Sequence, residues 1–259
     1  MKTVKEITQA LKEANREEDW VLALASDERA GVQKALKQFY GRLAKAQEAQ
    51  QAHAERVVFD DVYRAQYGPL IAGVDEAGRG PLAGPVVTAA VILPKDFEVF
   101  EGINDSKQLT KEQRASYAEV IKAHAVAYAI HFQPVQVIDA INIYEATKRS
   151  MARSVGLLKV QPAGVLLDAM TIATSLPQQN IIKGDAKSLS IAAASILAKT
   201  ARDAYMDELA LTYPNYGFEQ HAGYGTKQHL EALAKYGVTP EHRSSFEPIK
   251  SMVQGGWIK

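Results

Sequence analysis

Hydrophobic residues in the first part of the chain recur at intervals of three and four, which is the spacing of amphipathic helices. The positions that carry this pattern are Val4, Ile7, Leu11, Val32, Leu36, Phe39 and Leu43. Residues 1–67 contain no proline and only two glycines, whereas all ten prolines and the other fifteen glycines lie further along the chain. We therefore expect two or three helices, the last of them long. The predicted division is a helical extension over residues 1–69 and a second domain over residues 70–259.

The second part of the chain has the pattern of an α/β domain, in which short β-branched runs alternate with helical spacing. The expected strands are residues 70–74, 85–93, 126–132 and 164–168. The expected helices are residues 110–124, 188–211 and 226–237. The first of these helices has a capping-box signature, in which Thr110 is followed three residues later by Gln113.

Carboxylates follow three of the apolar runs. Asp75 and Glu76 come after the first, Asp168 closes the run that begins at residue 164, and Asp185 follows the apolar pair at 181–182. On a regular strand Asp75 and Glu76 would face opposite sides, so a shared site requires the strand to bend. Each acid alone has an ordinary explanation as a turn or helix-capping residue. Three sites of the same design favour one cluster, which suits two divalent cations acting on a phosphodiester.

Composition narrows the chemistry of such a cluster. The chain has no cysteine, and its six histidines include no pair at the i, i+4 spacing of a zinc helix. A metal would be held by carboxylates, which favours Mg²⁺ or Mn²⁺. Basic and acidic residues balance at 30 each, so nucleic-acid binding would rest on local geometry. No stretch resembles a signal peptide or a membrane span, and we expect a cytoplasmic protein with no membrane partner.

Residues 73–85 read GVDEAGRGPLAGP, which resembles the signature of ribonuclease HII, the type 2 ribonuclease H family. Further matches follow in the same order and extend the resemblance over about residues 71–247. They are NDSKQL at 104–109, LDA at 167–169, KGD at 183–185, AAASILAK at 192–199, Arg202-Asp203 and HAGYGT at 221–226. The helical N-terminus is similar to an extension found on some bacterial members. One departure is Ala169, where members of the family often have glycine.

The resemblance implies a ribonuclease H-like mixed sheet flanked by helices, in a protein that we expect to be a monomer. It implies an endonuclease that cleaves the RNA strand of RNA–DNA hybrids and single ribonucleotides embedded in duplex DNA. The cut would lie 5′ of the ribonucleotide and leave 3′-hydroxyl and 5′-phosphate ends. The residues that would bind Mg²⁺ or Mn²⁺ and carry the catalysis are Asp75, Glu76, Asp168 and Asp185.

The same resemblance implies contacts with the substrate. The main chain of Gly78, Arg79 and Gly80 would recognise the 2′-hydroxyl, which distinguishes RNA from DNA. Tyr224 would stack on the deoxyribose that follows the ribonucleotide. Three lysines could contact phosphates, Lys107, Lys183 and Lys187. Apart from the resemblance, the predicted N-terminal helices carry basic residues that could approach phosphates beyond the cut, and these are Arg29, Lys34, Lys37, Arg42 and Lys45. Asp203 is a further acid, which we expect to pair with Lys199 four residues earlier.

Two other functions remain open on the sequence alone. One is a metal nuclease with the same acidic core that acts on DNA junctions, and it differs in not requiring a 2′-hydroxyl. The other is a binding protein without catalysis, in which the acids only cap helices. A nucleotide-hydrolysing enzyme is disfavoured because the chain contains no G-x-x-x-x-G-K-[ST] motif.

Overall fold

The computed structural model describes residues 2–95, 98–103, 106 and 109–255, which divide into two compact units, Met1–Ala54 and Glu55–Lys259. The helices are α1 (Val4–Glu13), α2 (Asp19–Ala23), α3 (Ala30–Tyr67), α4 (Lys111–His124), α5 (Val135–Ile141), α6 (Ile143–Gly156), α7 (Gly184–Lys187), α8 (Leu189–Thr212), α9 (Phe218–His221), α10 (Lys227–Tyr236) and α11 (Ile249–Gln254). The strands are β1 (Ile71–Ala77), β2 (Val86–Ile92), β3 (Ala127–Gln133), β4 (Gly164–Asp168) and β5 (Gln178–Ile181).

The first unit has a hydrophobic core of its own. Buried residues of α1, α2 and the first part of α3 form it, among them Leu11, Val21 and Phe39. The guanidinium of Arg42 donates to the carbonyl oxygens of Leu11 and Ala14, at the end of α1. The two or three helices expected from the spacing of apolar residues are therefore confirmed, and their apolar positions face one another.

The second unit contains a five-stranded mixed sheet in the order β3-β2-β1-β4-β5. The strands β3, β2 and β1 pair antiparallel, whereas β1, β4 and β5 pair parallel. Helices α4 and α8 cover one face of the sheet, and α6 covers the other. Gly73 in β1 permits the close approach of α8, since a Cβ there would lie 2.1 Å from the backbone carbon of Ser190. The predicted mixed sheet flanked by helices is confirmed.

The end of α3 belongs to the second unit, so the compact units divide earlier than the predicted boundary at residues 69 and 70. Three aromatic residues of α3, Phe59, Tyr63 and Tyr67, pack on buried residues of the sheet and α8. The fully buried carboxylate of Asp60 accepts hydrogen bonds from Ser188 Oγ at 2.6 Å and from the N–H of Ser190 at 2.9 Å. A chain that began near Tyr67 would lose these contacts.

The local signals for helix ends are confirmed by the structure. Thr110 and Gln113 form the predicted capping box of α4, and Ser188 and Thr226 cap α8 and α10. The predicted first strand, residues 70–74, is too short. β1 pairs with β2 as far as Ala77 and therefore includes both Asp75 and Glu76. Among the described residues, no helix is long and apolar enough to cross a membrane.

Candidate active site

The acids lie where two parallel strands separate. The pairing of β1 with β4 ends at Val74 and Leu167, and the next residue on each strand is an aspartate, Asp75 and Asp168. Asp168 still pairs with the last residue of β5, and a short turn then leads to Asp185 in α7. The carboxyl ends of parallel strands are a common position for ligand sites, because the loops diverge there and leave a crevice. Three separate segments thus bring their carboxylates to one edge of the sheet.

Asp75, Asp168 and Asp185 form a compact group in which one carboxylate oxygen from each lies within 4.8 Å of the others. Asp75 is buried, and its Oδ1 accepts the N–H of Glu76 at 2.7 Å. Oδ1 of Asp168 accepts the N–H of Gly184 at 2.6 Å, which ties β4 to the turn before α7. Glu76 is outside this closest group but lines the same cavity.

Burial and the repulsion between neighbouring carboxylates make the negative charge of this cluster unfavourable unless a cation is present. Burial raises the pKa of Asp75 well above its ordinary value, and the charges of Glu76 and Asp168 raise it further. Burial also raises the pKa of Glu76, against the opposing charge of Arg79, whose Nη1 lies 3.5 Å from Oε1. Within the described part of the chain, Oε2 of Glu76 is buried and has no hydrogen-bond partner. Such a group of oxygen ligands fits a hard divalent cation.

Asp75, Glu76 and Asp168 line a cavity of about 240 Å³, whereas Asp185 does not line it. Its wall also contains the glycine-rich segment Gly78-Arg79-Gly80 and the half-exposed ring of Tyr224. Gly78 has a φ of +93°, and a Cβ there would lie 2.0 Å from Nε of Arg202, so no other residue fits. A Cβ at Gly80 would lie 3.4 Å from the Tyr224 ring. The sequence motif and the distant tyrosine therefore share one site.

Two buried arginines support this wall of the cavity: Arg243 holds the glycine-rich segment itself, and Arg202 holds the loops next to it. Arg243 donates to the carbonyl oxygens of Gly78 at 2.6 Å and Arg79 at 2.9 Å. Arg202 donates to the carbonyls of Ala83, Pro85 and Ala222. In a trans peptide the N–H points opposite to the preceding carbonyl. The N–H groups of Arg79 and Gly80 therefore point away from Arg243.

A family model described as ribonuclease HII matches residues 72–249, and one described as the ribonuclease HII N-terminal domain matches residues 3–64. The chain belongs to the ribonuclease HII family. It is therefore an endoribonuclease, an enzyme that hydrolyses phosphodiester bonds within RNA.

Individual relatives agree with the family match. The chain is 51% identical over 250 residues to ribonuclease HII of Halalkalibacterium halodurans, covering 96% of this chain and 95% of the relative. It is similar in structure to ribonuclease H2 of Pyrococcus horikoshii, with a TM-score of 0.64, 26% identity, and coverage of 72% of this chain and 98% of that one. A Bst ribonuclease HIII solved in complex with Mn²⁺ shares the fold, with a TM-score of 0.54, 18% identity, and coverage of 71% and 69%.

Several residues that line the cavity of this ribonuclease HII were not among the site residues predicted from the sequence. Ser106, Ser195, Lys199 and Arg202 line the cavity, and the hydroxyls of Ser106 and Ser195 lie 3.0 Å apart. The hydroxyl of Ser195 also lowers the pKa of Asp75, against the larger effect of burial. Residues 195, 199 and 202 have the i, i+4, i+7 spacing of one helix face, and this signal in the alanine-rich stretch could have revealed them. The expected pair of Lys199 with Asp203 is confirmed, at 2.5 Å.

The basic residues expected to contact phosphates lie in different surroundings. Lys183 and Lys187 are exposed on either side of Asp185 but do not line the cavity, and Lys107 lies outside the described residues. In the first unit, Arg29 pairs with Asp27 and Arg42 binds backbone carbonyls, so both serve internal contacts. Lys34, Lys37 and Lys45 are exposed on α3.

Proposed function

We propose that this ribonuclease cleaves the RNA strand of RNA–DNA hybrids and single ribonucleotides embedded in duplex DNA. The cut falls 5′ of the ribonucleotide and leaves 3′-hydroxyl and 5′-phosphate ends. The observation that carries the proposal is that one cavity joins an acidic cluster to a glycine-rich wall and an accessible tyrosine. This arrangement sets a hydrolytic centre beside a surface able to recognise a sugar. We place the activity in the cytoplasm, in a monomer.

The proposed metal ligands are Asp75, Glu76, Asp168 and Asp185, which would hold Mg²⁺ or Mn²⁺. The unpartnered buried oxygen of Glu76 and the raised pKa values of Asp75 and Glu76 support this assignment, because each indicates a site in need of positive charge. When bound, such cations activate water and stabilise a leaving oxygen.

The proposed recognition of the 2′-hydroxyl uses main-chain groups of Gly78, Arg79 and Gly80. Because Arg243 binds the carbonyls of Gly78 and Arg79, the N–H groups of Arg79 and Gly80 are the groups left to meet a ligand. The Tyr224 ring stands next to Gly80 and would stack on the following deoxyribose. Lys183 and Lys187, beside Asp185, would contact backbone phosphates. The same role is proposed for Lys107 from the sequence alone.

Matched duplexes test the proposal. Three substrates of one sequence carry no ribonucleotide, one, or a run of them, and each is incubated with Mg²⁺, Mn²⁺ or a chelator. We expect cleavage only where a 2′-hydroxyl is present, loss of cleavage in the chelator, and loss when the single 2′-hydroxyl is methylated. Cutting of the all-DNA duplex or of a branched DNA would support the junction nuclease instead, and cleavage in the chelator would contradict the metal site.

A further inference from the structure

Three histidines that are distant in sequence meet beneath Tyr224. His221, His229 and His242 are buried, and the rings of His221 and His229 stack at 4.6 Å. Nε2 of His229 lies 3.0 Å from Nε2 of His242. The rings of His229 and His242 do not form a metal site, because each of their four nitrogens already has a hydrogen-bond partner.

The hydrogen-bond partners determine which nitrogen carries each proton. The N–H of Thr239 donates to Nδ1 of His242 at 2.9 Å, so this nitrogen must be unprotonated. Nδ1 of His229 lies 2.9 Å from the carbonyl oxygen of Tyr224, which can only accept, so this nitrogen must be protonated. Nε2 of His242 then donates to Nε2 of His229. The bonds run in one direction, from Thr239 through both rings to Tyr224.

This series of hydrogen bonds keeps the imidazoles of His229 and His242 neutral. A proton on Nδ1 of His242 would face the N–H of Thr239, which is also a donor. A proton on Nε2 of His229 would face the N–H at Nε2 of His242. Burial lowers the pKa of His229 to about 4 and that of His242 to about 3, which agrees with the geometry.

The backbone N–H and carbonyl groups of Gly223 and Tyr224 are all hydrogen-bonded, whereas the ring of Tyr224 is half exposed. Its N–H donates to the carbonyl of His221 at 2.9 Å, and its carbonyl accepts from His229. The N–H of Gly223 donates to Nδ1 of His221, and the carbonyl of Gly223 accepts from Leu82, next to the glycine-rich segment. The ring therefore has little freedom beyond its own side-chain rotations.

We infer that His229 and His242 are positioning residues, a neutral pair of fixed tautomers that sets the Tyr224 carbonyl and thereby places its ring over the substrate sugar. The inference rests on the proposed role of Tyr224. It concerns orientation, because neither imidazole lines the cavity.

Amide substitutions separate this role from simple packing. An asparagine amide reaches the position of Nδ1 in a histidine, whereas a glutamine amide reaches that of Nε2. His229→Asn keeps the donor to Tyr224, and His229→Gln loses it although glutamine is closer to histidine in size. At the partner position, His242→Gln keeps the donor to His229, and His242→Asn loses it. We expect kcat/KM near that of the unsubstituted protein for the first variant of each pair, and about tenfold lower for the second.

The opposite preference at the two positions is the decisive result, because size or polarity alone would give the same preference at both. In a Tyr224→Ala background the difference within each pair should vanish. A difference that persists there overturns the inference and leaves the proposed function standing. If Tyr224→Ala alone retains full activity, the role of Tyr224 fails, and the inference fails with it.

Nitrogen-15 NMR of histidine-labelled protein tests the tautomers without any substitution that could impair folding. At pH 7 we expect His229 to be protonated at Nδ1 and His242 at Nε2, with each ring assigned through its own backbone resonances in the unsubstituted protein. The reverse tautomers, or an imidazolium at either position, would overturn the inference even if some variants do not fold.

Discussion

Replacing Asp168 with asparagine should abolish cleavage and at the same time stabilise the metal-free protein. The substitution removes one charge from a cluster in which two acids have raised pKa values, and the charge of Asp168 contributes to both shifts. The asparagine Oδ1 can still accept the N–H of Gly184, so the structural hydrogen bond survives. The variant therefore isolates the charge from the geometry.

The separation of the carboxylates gives the size of the effect. Carboxylate oxygens of Asp75, Asp168 and Asp185 lie within 4.8 Å of one another. At this distance two unit charges repel by about 3 kcal/mol for an effective dielectric constant of about 20. Protonation of Asp75 relieves part of this repulsion in the unsubstituted protein. We expect a gain of about 1–3 kcal/mol at pH 7 in a chelator, which raises the melting temperature by about 3 °C or more.

The gain should depend on pH with a definite sign. A carboxyl group whose pKa is higher in the folded than in the unfolded state costs stability once the pH rises through those values. The advantage of Asp168→Asn should therefore be largest at neutral pH and shrink as the medium is acidified and Asp75 and Glu76 become protonated. Adding Mn²⁺ should reverse the order, because the unsubstituted protein gains stability from binding and the variant gains less.

Thermal melting at pH 5 and pH 7, with chelator or Mn²⁺, and a cleavage assay on the single-ribonucleotide duplex measure these effects. Asp207→Asn is the matched control, since this exposed carboxylate on α8 pairs with Lys111 at 2.7 Å. It should melt slightly lower and keep its activity. A variant at Asp168 that is less stable than the unsubstituted protein in chelator at pH 7, or that cleaves normally, would refute the reasoning.

Tyr224→Ala should lower kcat/KM by about tenfold or more and Tyr224→Phe by much less, because stacking requires the ring; equal losses would assign the role to the hydroxyl. A chain beginning at residue 55 should fold and cleave, with weaker salt dependence of duplex binding, whereas one beginning at residue 68 should melt far lower; equal melting would favour the boundary at 69. Ala169→Gly should stabilise by up to about 1 kcal/mol because φ is +50° there, and Ala115→Gly within α4 should destabilise by about as much; a loss at Ala169 would contradict backbone strain.

The parts of the fold predictable from sequence are those with local causes. The capping box at Thr110 depends on residues within one helical turn, and the structure confirms it. The acids were recognisable because each follows an apolar run. The end of β1 was misplaced because it depends on pairing, since β2 accompanies β1 beyond the point where β4 departs.

The supporting residues of the site have no local signal. Arg243 binds the carbonyl of Gly78, which lies 165 residues earlier in the sequence. His229 lies in α10 and His242 in the loop after it, and the two rings meet because the chain turns back at the end of α10. No local pattern around a single arginine or histidine predicts which distant residue it contacts in the folded protein. The histidine spacing excluded a zinc helix, but it could not predict a neutral hydrogen-bonded pair.

Asp60 has the same kind of hidden connection, and it links the end of α3 to the active site. Its carboxyl group accepts hydrogen bonds from Ser188 and Ser190 at the start of α8. One face of α8 then carries Ser195 and Lys199 into the cavity. Because a helix moves as a rigid element, fixing its first turn fixes the position of that face. The last turns of α3 are therefore part of what holds the acidic cluster in register, although no acid of the cluster lies on them.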